Sequence, residues 1–515
     1  MIFRLQFREN IRSVVNRVQH RCKCTSARLV LPNGIAYDQP VGLFVDNEFR
    51  ESQTKFPTFC PATTQEIAQV FSASAVEVDH AVHAARSAFT AEWASLPGTE
   101  RGQLLYRLSN LVEQNLELLG SIESWDTGKP LTASLTEDIP ECVNVLRYYA
   151  GWADKIYGNT IQPFPEKFAY SLRQPIGVCG LIVPWNYPLM LSIWKLAPAL
   201  AAGNTVVLKS SEHSPLSILY LAGLIKQAGF PPGTINIISG DGLIGKNLVQ
   251  HSEISKISFT GSVVTGKSIM KLAADSLIPV TLELGGKSAA IIYADADLDQ
   301  AVKWCHAGIM SNMGQICTGT SRIFVQETIH DEFMGKLKSY TAQKSKIGMP
   351  FDLNTFQGPQ ISKQQLDSIM GYINTALSEG ANLVHGGKKI PGKGHFMEPT
   401  IFSNVKDKMA IVNEEIFGPV VTISSFTDSR EVIRRANSTA YGLAAAVFTS
   451  DISRAMTVAR RLDAGMVWIN SSNDSDFRVP FGGFKQSGFG KELGDYAIKC
   501  YTQEKNVHVN LGTIL

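Results

Sequence analysis

Cys317 stands in Gly-Gln-Ile-Cys-Thr-Gly, a thiol set among glycines in a chain of 515 residues. Such a thiol is a nucleophile if a base and an anion-stabilising donor can reach it, and otherwise a buried core side chain. Glu283, in Leu-Glu-Leu-Gly-Gly-Lys, offers the base, because a partly buried carboxylate has a raised pKa and takes protons near neutrality. Asn186, in Pro-Trp-Asn-Tyr-Pro, offers a side-chain N–H to an oxyanion. Plainer readings make Glu283 and Asn186 caps for the helices that follow them. Gly314 and Gly319 let backbone approach a ligand closely. If the Cys317 segment opens a helix, its free N–H groups would lower the thiol pKa and hold an oxyanion.

The elements that must position these groups follow from patterning. Helical periodicity is expected over 76–92, 100–125 and 130–157, and a strand or hairpin arm over 41–50. Residues 159–173 turn polar and extended, with Pro163 and Pro165 blocking helix, so this stretch reads as an arm leaving the domain. From Gly177 short apolar strands alternate with helices: strands at 178–183, 205–209, 235–238, 257–260 and 281–284, helices at 188–200, 214–228, 242–249 and 266–274. That alternation predicts a parallel sheet covered on both faces. A second α/β region is expected from Gly285. Its strands fall at 288–292, 322–325, 420–425, 444–449 and 466–469, and its helices at 298–312, 329–345 and 364–379. Residues 506–509 alternate like an edge strand.

Length allows two or three domains. A net charge of +2 calls for no nucleic-acid partner, and no apolar run is long enough to span a membrane. The eight cysteines are scattered, which favours a reducing or neutral compartment over a disulfide framework. Cys22 and Cys24 have no second pair at metal spacing, so no metal is expected. Residues 1–28 hold seven Lys or Arg against the single acid Glu9, with Phe3, Phe7, Ile11, Val14, Val15 and Val18 at helical spacing. An arginine-rich, amphipathic, acid-poor head is the pattern of a mitochondrial presequence. It predicts the mitochondrial matrix, with a plain tail on a cytoplasmic protein as the alternative. The folded body is expected from Leu29.

The motifs PWNYP, VLKSSE, FTGS, LELGG, GQICTG, EEIFGPV and PFGGFKQSG, in this order, resemble those of the aldehyde dehydrogenase superfamily. The match runs from about Leu29 to the C-terminus. It is closest to the tetrameric branch acting on general aliphatic, retinal or betaine aldehydes. The resemblance implies an α/β fold with a Rossmann-type cofactor domain (29–157 and 175–286), a second α/β catalytic domain (287–485) and a small β oligomerisation arm (158–174 and 495–515). It implies NAD-dependent oxidation of an aldehyde to the acid through a cysteine thiohemiacetal and thioester. Cys317 would be the nucleophile, Glu283 the base that activates water and Asn186 the oxyanion donor. A thiohemiacetal needs a hydride acceptor, and a nicotinamide cofactor is the natural one.

No G-x-G-x-x-G follows a strand. The family instead uses G-S-x-x-x-G, here Gly261-Ser262 through Gly266, with pyrophosphate at the helix start. Lys209 and Glu212 would meet the adenosine ribose, and the carboxylate favours NAD over NADP. Ser210 departs from the family's usual proline between them, which leaves that turn looser. Glu415 and Phe417 would meet the nicotinamide ribose, while Ile182, Pro184, Trp185 and Gly242 complete the cofactor set. Lys195 and Glu492 resemble residues near the active site and the subunit interface. Glu492 reads equally as a solvated helix-start residue. Tyr187, Leu191, Trp194, Ile316, Thr318 and Phe481 would line the substrate tunnel, in a homo-oligomer, dimer or tetramer. The loop 471–478 leaves the substrate open: Asp474 and Asp476 suit a cationic aldehyde such as betaine aldehyde, Arg478 a carboxylate-bearing semialdehyde. An intact trio argues against a non-catalytic relative, and Glu283 against an acyl-CoA-forming one.

Overall fold

The computed structural model describes residues 25–514. The helical pattern of the basic head and the Cys22–Cys24 pair lie outside these residues. The first strand, Ser26–Val30, pairs antiparallel with Ala36–Pro40, so the folded body begins slightly earlier than the expected Leu29.

Val178–Ile182, Thr205–Ser210 and Ile235–Ser239 are buried along their whole lengths, as strands covered on both faces must be. They join Lys256–Thr260 and Val280–Glu283 in one parallel array. The full sheet has eight strands. Leu43–Val45 followed by Glu48–Arg50 extends one edge and Gly488–Phe489 the other, antiparallel in both cases. Val178–Ile182 lies between Thr205–Ser210 and Lys256–Thr260, so successive crossovers leave it in opposite directions. Ligands bind beyond the carboxyl ends of strands at such a switch point. The helix Pro188–Ala201 starts just past that point and is buried at every residue but Met190.

The second sheet has seven strands, in the order Asn382–His385, Thr400–Ser403, Val420–Phe426, Arg322–Gln326, Ala289–Ile292, Ala444–Phe448 and Met466–Ile469. Along Ala289–Ile292, Ala290 and Ile292 join one apolar cluster and Ala289 and Ile291 the opposite one, the period-two pattern of a sheet buried on both faces. A third sheet has three strands. Thr502–Asn510 runs antiparallel along Lys167–Pro175, whose other edge carries Thr160–Phe164, exposed at every residue.

Several expectations need correction. The helix expected over 100–125 is two helices, Gly98–Gln114 and Leu116–Thr127, broken at Asn115. The helix over 130–157 contains a π-helical turn, Ser134–Asp138, between Leu131–Ala133 and Ile139–Trp152. The pair Thr54–Phe59 and Glu66–Ser72 forms a two-stranded sheet that patterning missed, and Asn382–His385 and Thr400–Ser403 were likewise unforeseen. Among the described residues no helix is long and apolar enough to cross a membrane, and no group of three or more His, Cys, Asp or Glu could hold a metal.

Candidate active site

The link between the two large sheets is Gly285-Gly286-Lys287-Ser288, and it builds the site. A Cβ on Gly285 would collide with the Glu415 carboxylate, and one on Gly286 with the Cys317 carbonyl oxygen. Glycine here lets the carboxylate and the Cys317 backbone close on the crossing. Glu415 Oε1 accepts from the Gly286 N–H at 3.2 Å. Ser487 Oγ donates to the Gly285 carbonyl at 2.7 Å, tying the crossing to the edge strand of the first sheet.

Cys317 does not open a helix. The helix Leu298–Met310 ends before it, and Asn312, Met313 and Gly314 follow with φ of 46°, 58° and 71°. Three consecutive left-handed residues end helical propagation and store backbone strain beside the thiol. The sulfur sits in the next turn, with the Cys317 and Thr318 N–H groups directed at it. Burial pushes the thiol up to about 12, helped by Glu415 and Glu283, and the two N–H groups oppose only part of that. The thiol is therefore neutral in the ligand-free protein near pH 7, contrary to the helix-start expectation.

Asn186 follows the Val178–Ile182 strand and is 5% exposed. Its Nδ2 donates to the Gln315 carbonyl at 2.9 Å, and its Oδ1 has no partner. Asn312 Nδ2 spans the same place, donating to the Asn186 and Gln315 carbonyls at 3.2 Å each. The carboxamide is thereby pinned to the turn that carries the thiol. Glu283 ends the Val280–Glu283 strand, is buried, and has no partner for either oxygen. Burial first, then Glu492, raises its pKa well above the ordinary carboxylate range, with Lys195 and Lys491 opposing. Lys195 forms an ion pair with Glu492 and donates to Thr260 Oγ1 at 2.7 Å. Glu492 is 2% exposed, which removes the solvated reading of that residue.

Cys317, Glu283 and Asn186 line a single cavity of about 770 Å³, together with Pro184, Trp185, Gly261, Ser262, Glu415 and Phe417. Tyr187, Leu191, Trp194, Ile316, Thr318 and Phe481 line it as well. Trp185 and Phe417 meet edge-on at 5.3 Å, and Trp194 and Phe481 at 5.0 Å. Four proposed cofactor residues do not line it: Ile182, Lys209, Glu212 and Gly242. Ile182 is buried inside its strand. Lys209 is the penultimate residue of the adjacent strand, pairs with Glu212 at 3.5 Å and faces Asp241, the N-cap of the helix that Gly242 begins. These groups still stand at the carboxyl edge of the same sheet.

The edge suits a dinucleotide. Thr260, Gly261 and Ser262 bring the N-terminus of the helix Val263–Ala274 to the cavity, where free N–H groups favour phosphate. The Glu212 carboxylate is 39% exposed and open to ribose hydroxyls.

Two groups near the site escaped sequence reasoning. Lys129 forms a buried ion pair with Asp138 and lies 4.1 Å from the centre of the Tyr187 ring. Glu123 accepts from the Leu189 N–H, and Asp126 from the Leu216 N–H, each in the first turn of a helix lacking its own side-chain cap. The two acids sit one turn apart on Leu116–Thr127, so one helix caps two others. Their only signal was charge on an otherwise apolar helix. Glu137 and Glu141 also line the cavity, and their spacing was a visible clue.

The model of the Aldehyde dehydrogenase family matches residues 49–507. An aldehyde dehydrogenase-like protein of Schizosaccharomyces pombe is 50% identical over 486 residues, covering 94% of this chain and 98% of its own. An aldehyde dehydrogenase of Emericella nidulans is 50% identical over 486 residues, covering 93% of this chain and 97% of its own. Among solved structures, an NAD+ complex of aldehyde dehydrogenase from Bacillus cereus superposes with a TM-score of 0.91 at 45% identity, covering 92% of this chain and 97% of that one. With fold, motifs and relatives in agreement, the chain belongs to the aldehyde dehydrogenase family and has its fold.

Proposed function

We propose that this protein oxidises an aldehyde to its carboxylic acid with NAD, through a covalent intermediate on Cys317. The observation that carries the proposal is the convergence of thiol, buried carboxylate and carboxamide on one cavity. Glu283 or water takes the Cys317 proton as the aldehyde binds, and the thiolate attacks the carbonyl carbon to give a thiohemiacetal. The Asn186 Nδ2 and the Cys317 N–H hold the oxyanion. The chemistry drawn from the oxidised dinucleotide is hydride acceptance, which converts the thiohemiacetal to a thioester. Glu283 then removes a proton from water, which attacks the thioester, frees the acid and restores the thiol. Its pKa, raised by burial and by Glu492, lets the carboxylate hold a proton it removes more firmly than a free glutamate would.

The dinucleotide would be held by the Ser262 helix end, by Lys209 and Glu212 at the adenosine ribose, and by Glu415 and Phe417 at the nicotinamide ribose. Ile182, Pro184, Trp185 and Gly242 would complete its walls. We assign residues 29–157 and 175–286 to cofactor binding and 287–485 to catalysis. The arm formed by 158–174 and 495–515, with its bare strand Thr160–Phe164, would join copies into a dimer or tetramer, which light scattering would count. The basic head supports import into the mitochondrial matrix; an organellar protein retaining Met1 would contradict removal of the head.

The test is joint measurement of acid and reduced nicotinamide from an aliphatic aldehyde, with and without coenzyme A. We expect one of each per turnover, independent of coenzyme A, and no acid from Cys317→Ser although that variant still binds NAD. Full activity of Cys317→Ser would refute the proposal.

A further inference from the structure

Asn186 and Tyr187 stand between the Val178–Ile182 strand and the helix Pro188–Ala201, in a stretch that belongs to neither. The aim of such a segment depends on what its side chains rest against. The Tyr187 ring rests on a charge. Lys129 Nζ lies 4.1 Å from the ring centre, within the range of a cation–π contact. Lys129 is 1% exposed and ion-paired to Asp138, and Glu123 Oε1 lies 3.9 Å from the same nitrogen. That oxygen also accepts from the Leu189 N–H at 3.4 Å. One buried cluster thereby touches the segment twice, at the ring through Lys129 and at the helix start through Glu123.

Backbone aims the ammonium. The helix Leu116–Thr127 ends at Gly128, whose φ is 80° and whose Cβ, if present, would meet Pro359 Cγ at 2.8 Å. The Lys129 N–H donates to Thr127 Oγ1 at 3.3 Å, and its carbonyl accepts from Ser124 Oγ at 2.7 Å. The π-helical turn Ser134–Asp138 then brings Asp138 to the nitrogen. Burial pushes the Glu123 carboxyl up to about 7, with Lys129 opposing, so Asp138 is the steadier counter-charge. An apolar side chain of similar length would fill this space without the desolvation cost. What the charge adds is a fixed place for the ring.

The far end of that ring meets the turn that carries the thiol. The Asn312 carboxamide faces the Tyr187 hydroxyl and donates to the Asn186 and Gln315 carbonyls at 3.2 Å each. Asn312 opens the left-handed run Asn312–Gly314, and Asn186 Nδ2 holds the Gln315 carbonyl. Contacts thus run unbroken from Lys129 through Tyr187 and Asn312 to the oxyanion donor and to the backbone just ahead of Cys317.

We infer that Lys129 is a positioning residue for the reaction: anchored by Asp138, its ammonium fixes the Tyr187 ring, and the ring fixes Asn312, Asn186 and the Cys317 turn. The inference rests on the aldehyde-oxidising reading and adds to it a group that lies behind the cavity wall rather than in it.

The test is a double-mutant cycle on kcat for propionaldehyde, a chain short enough to lose little contact when Tyr187 is trimmed. One arm is Lys129→Met with Asp138→Asn, which removes the ammonium without stranding its counter-charge. The other is Tyr187→Leu. Each arm should lower kcat about tenfold with KM for NAD unchanged, and the two together should also cost about tenfold, since either change breaks the same chain of contacts. Losses that multiply, or a first arm with wild-type kcat, overturn the inference while the oxidation itself stands. Should the first arm not fold, Asp138→Asn alone takes its place: it leaves the ammonium unanchored, and its loss should vanish in the Tyr187→Leu background. A wild-type protein that oxidises no aldehyde sinks the oxidation reading instead, and thiol labelling then decides the positioning. Near pH 7 without cofactor, each arm should loosen the turn and speed iodoacetamide labelling of Cys317 by about threefold, with no further gain in combination. Gains that multiply, or none, would overturn it.

Discussion

Replacing Gly286 by alanine measures how closely catalysis depends on the crossing between the two sheets. The new Cβ would lie about 1 Å inside the 3.4 Å at which ordinary van der Waals contact with the Cys317 carbonyl oxygen begins. Leu443 Cβ at 3.2 Å and Ser288 Oγ at 3.3 Å close off its other sides. Gly286 does not have a positive φ, so the alanine brings no backbone strain of its own, and its N–H still reaches Glu415. The displaced atom is a main-chain carbonyl in a tight turn, which cannot rotate away as a side-chain end can. The Cys317 turn must move by about 1 Å, and a misplacement of that size costs about 100-fold in rate. Overpacking should cost about 1–3 kcal/mol of stability, leaving the protein folded at assay temperature. The assay is kcat from nicotinamide absorbance, beside thermal unfolding. Gly223→Ala is the control: in the helix Leu216–Ala228 its Cβ meets nothing within 4 Å. It should keep kcat and gain about 0.5–1 kcal/mol of stability. A folded Gly286→Ala protein with kcat within threefold of wild type would refute the claim that the crossing fixes the nucleophile.

Three further outcomes follow from the site. Glu283→Gln should retain the first-turnover burst of reduced nicotinamide but slow steady-state acid release about 100-fold or more, by rapid-quench kinetics; an unchanged steady-state rate would remove Glu283 as the base. Asn186→Ala deletes one oxyanion donor and should lower kcat about 100- to 1,000-fold with little change in KM; loss of substrate affinity alone would make it a binding residue. With the thiol pushed up to about 12, Cys317 is protonated near neutrality and gains thiolate as pH rises. Its labelling by iodoacetamide in cofactor-free protein, followed by peptide mass spectrometry, should accelerate about tenfold per pH unit between about 7 and 9.5. A plateau near pH 8 would contradict that environment.

The alternating strands and helices from Gly177 onward were legible because each strand is a short run buried on both faces, and patterning reads burial directly. The hairpin arm expected over 41–50 is present as Leu43–Val45 and Glu48–Arg50, but the pair Thr54–Phe59 and Glu66–Ser72 was not legible. Thr54–Phe59 is mostly exposed and holds Pro57, so neither apolar alternation nor β-branched content marks it. The Cys317 segment deceived for a related reason. Gly-Gln-Ile-Cys-Thr-Gly looks like a helix start, but the left-handed run Asn312–Gly314 turns the chain towards the Arg322–Gln326 strand instead. At the site, Cys317, Glu283 and Asn186 were named from local motifs, since each sits beside glycine or proline that chemistry at close quarters requires. The pairing of Lys195 with Glu492, 297 residues apart, was beyond local reading. So was the meeting of Glu137 and Glu141 with the loop of Asp474, because a π turn changes which residues share a face.

The most direct test of the central claim is to trap the bond on sulfur. Glu283→Gln protein given aldehyde and NAD, quenched in acid within the first turnovers and digested, should show the acyl mass on the peptide holding Cys317 and on no other cysteine. Absence of that adduct alongside a full burst of reduced nicotinamide, or its appearance on the partly exposed Cys500, would contradict the account.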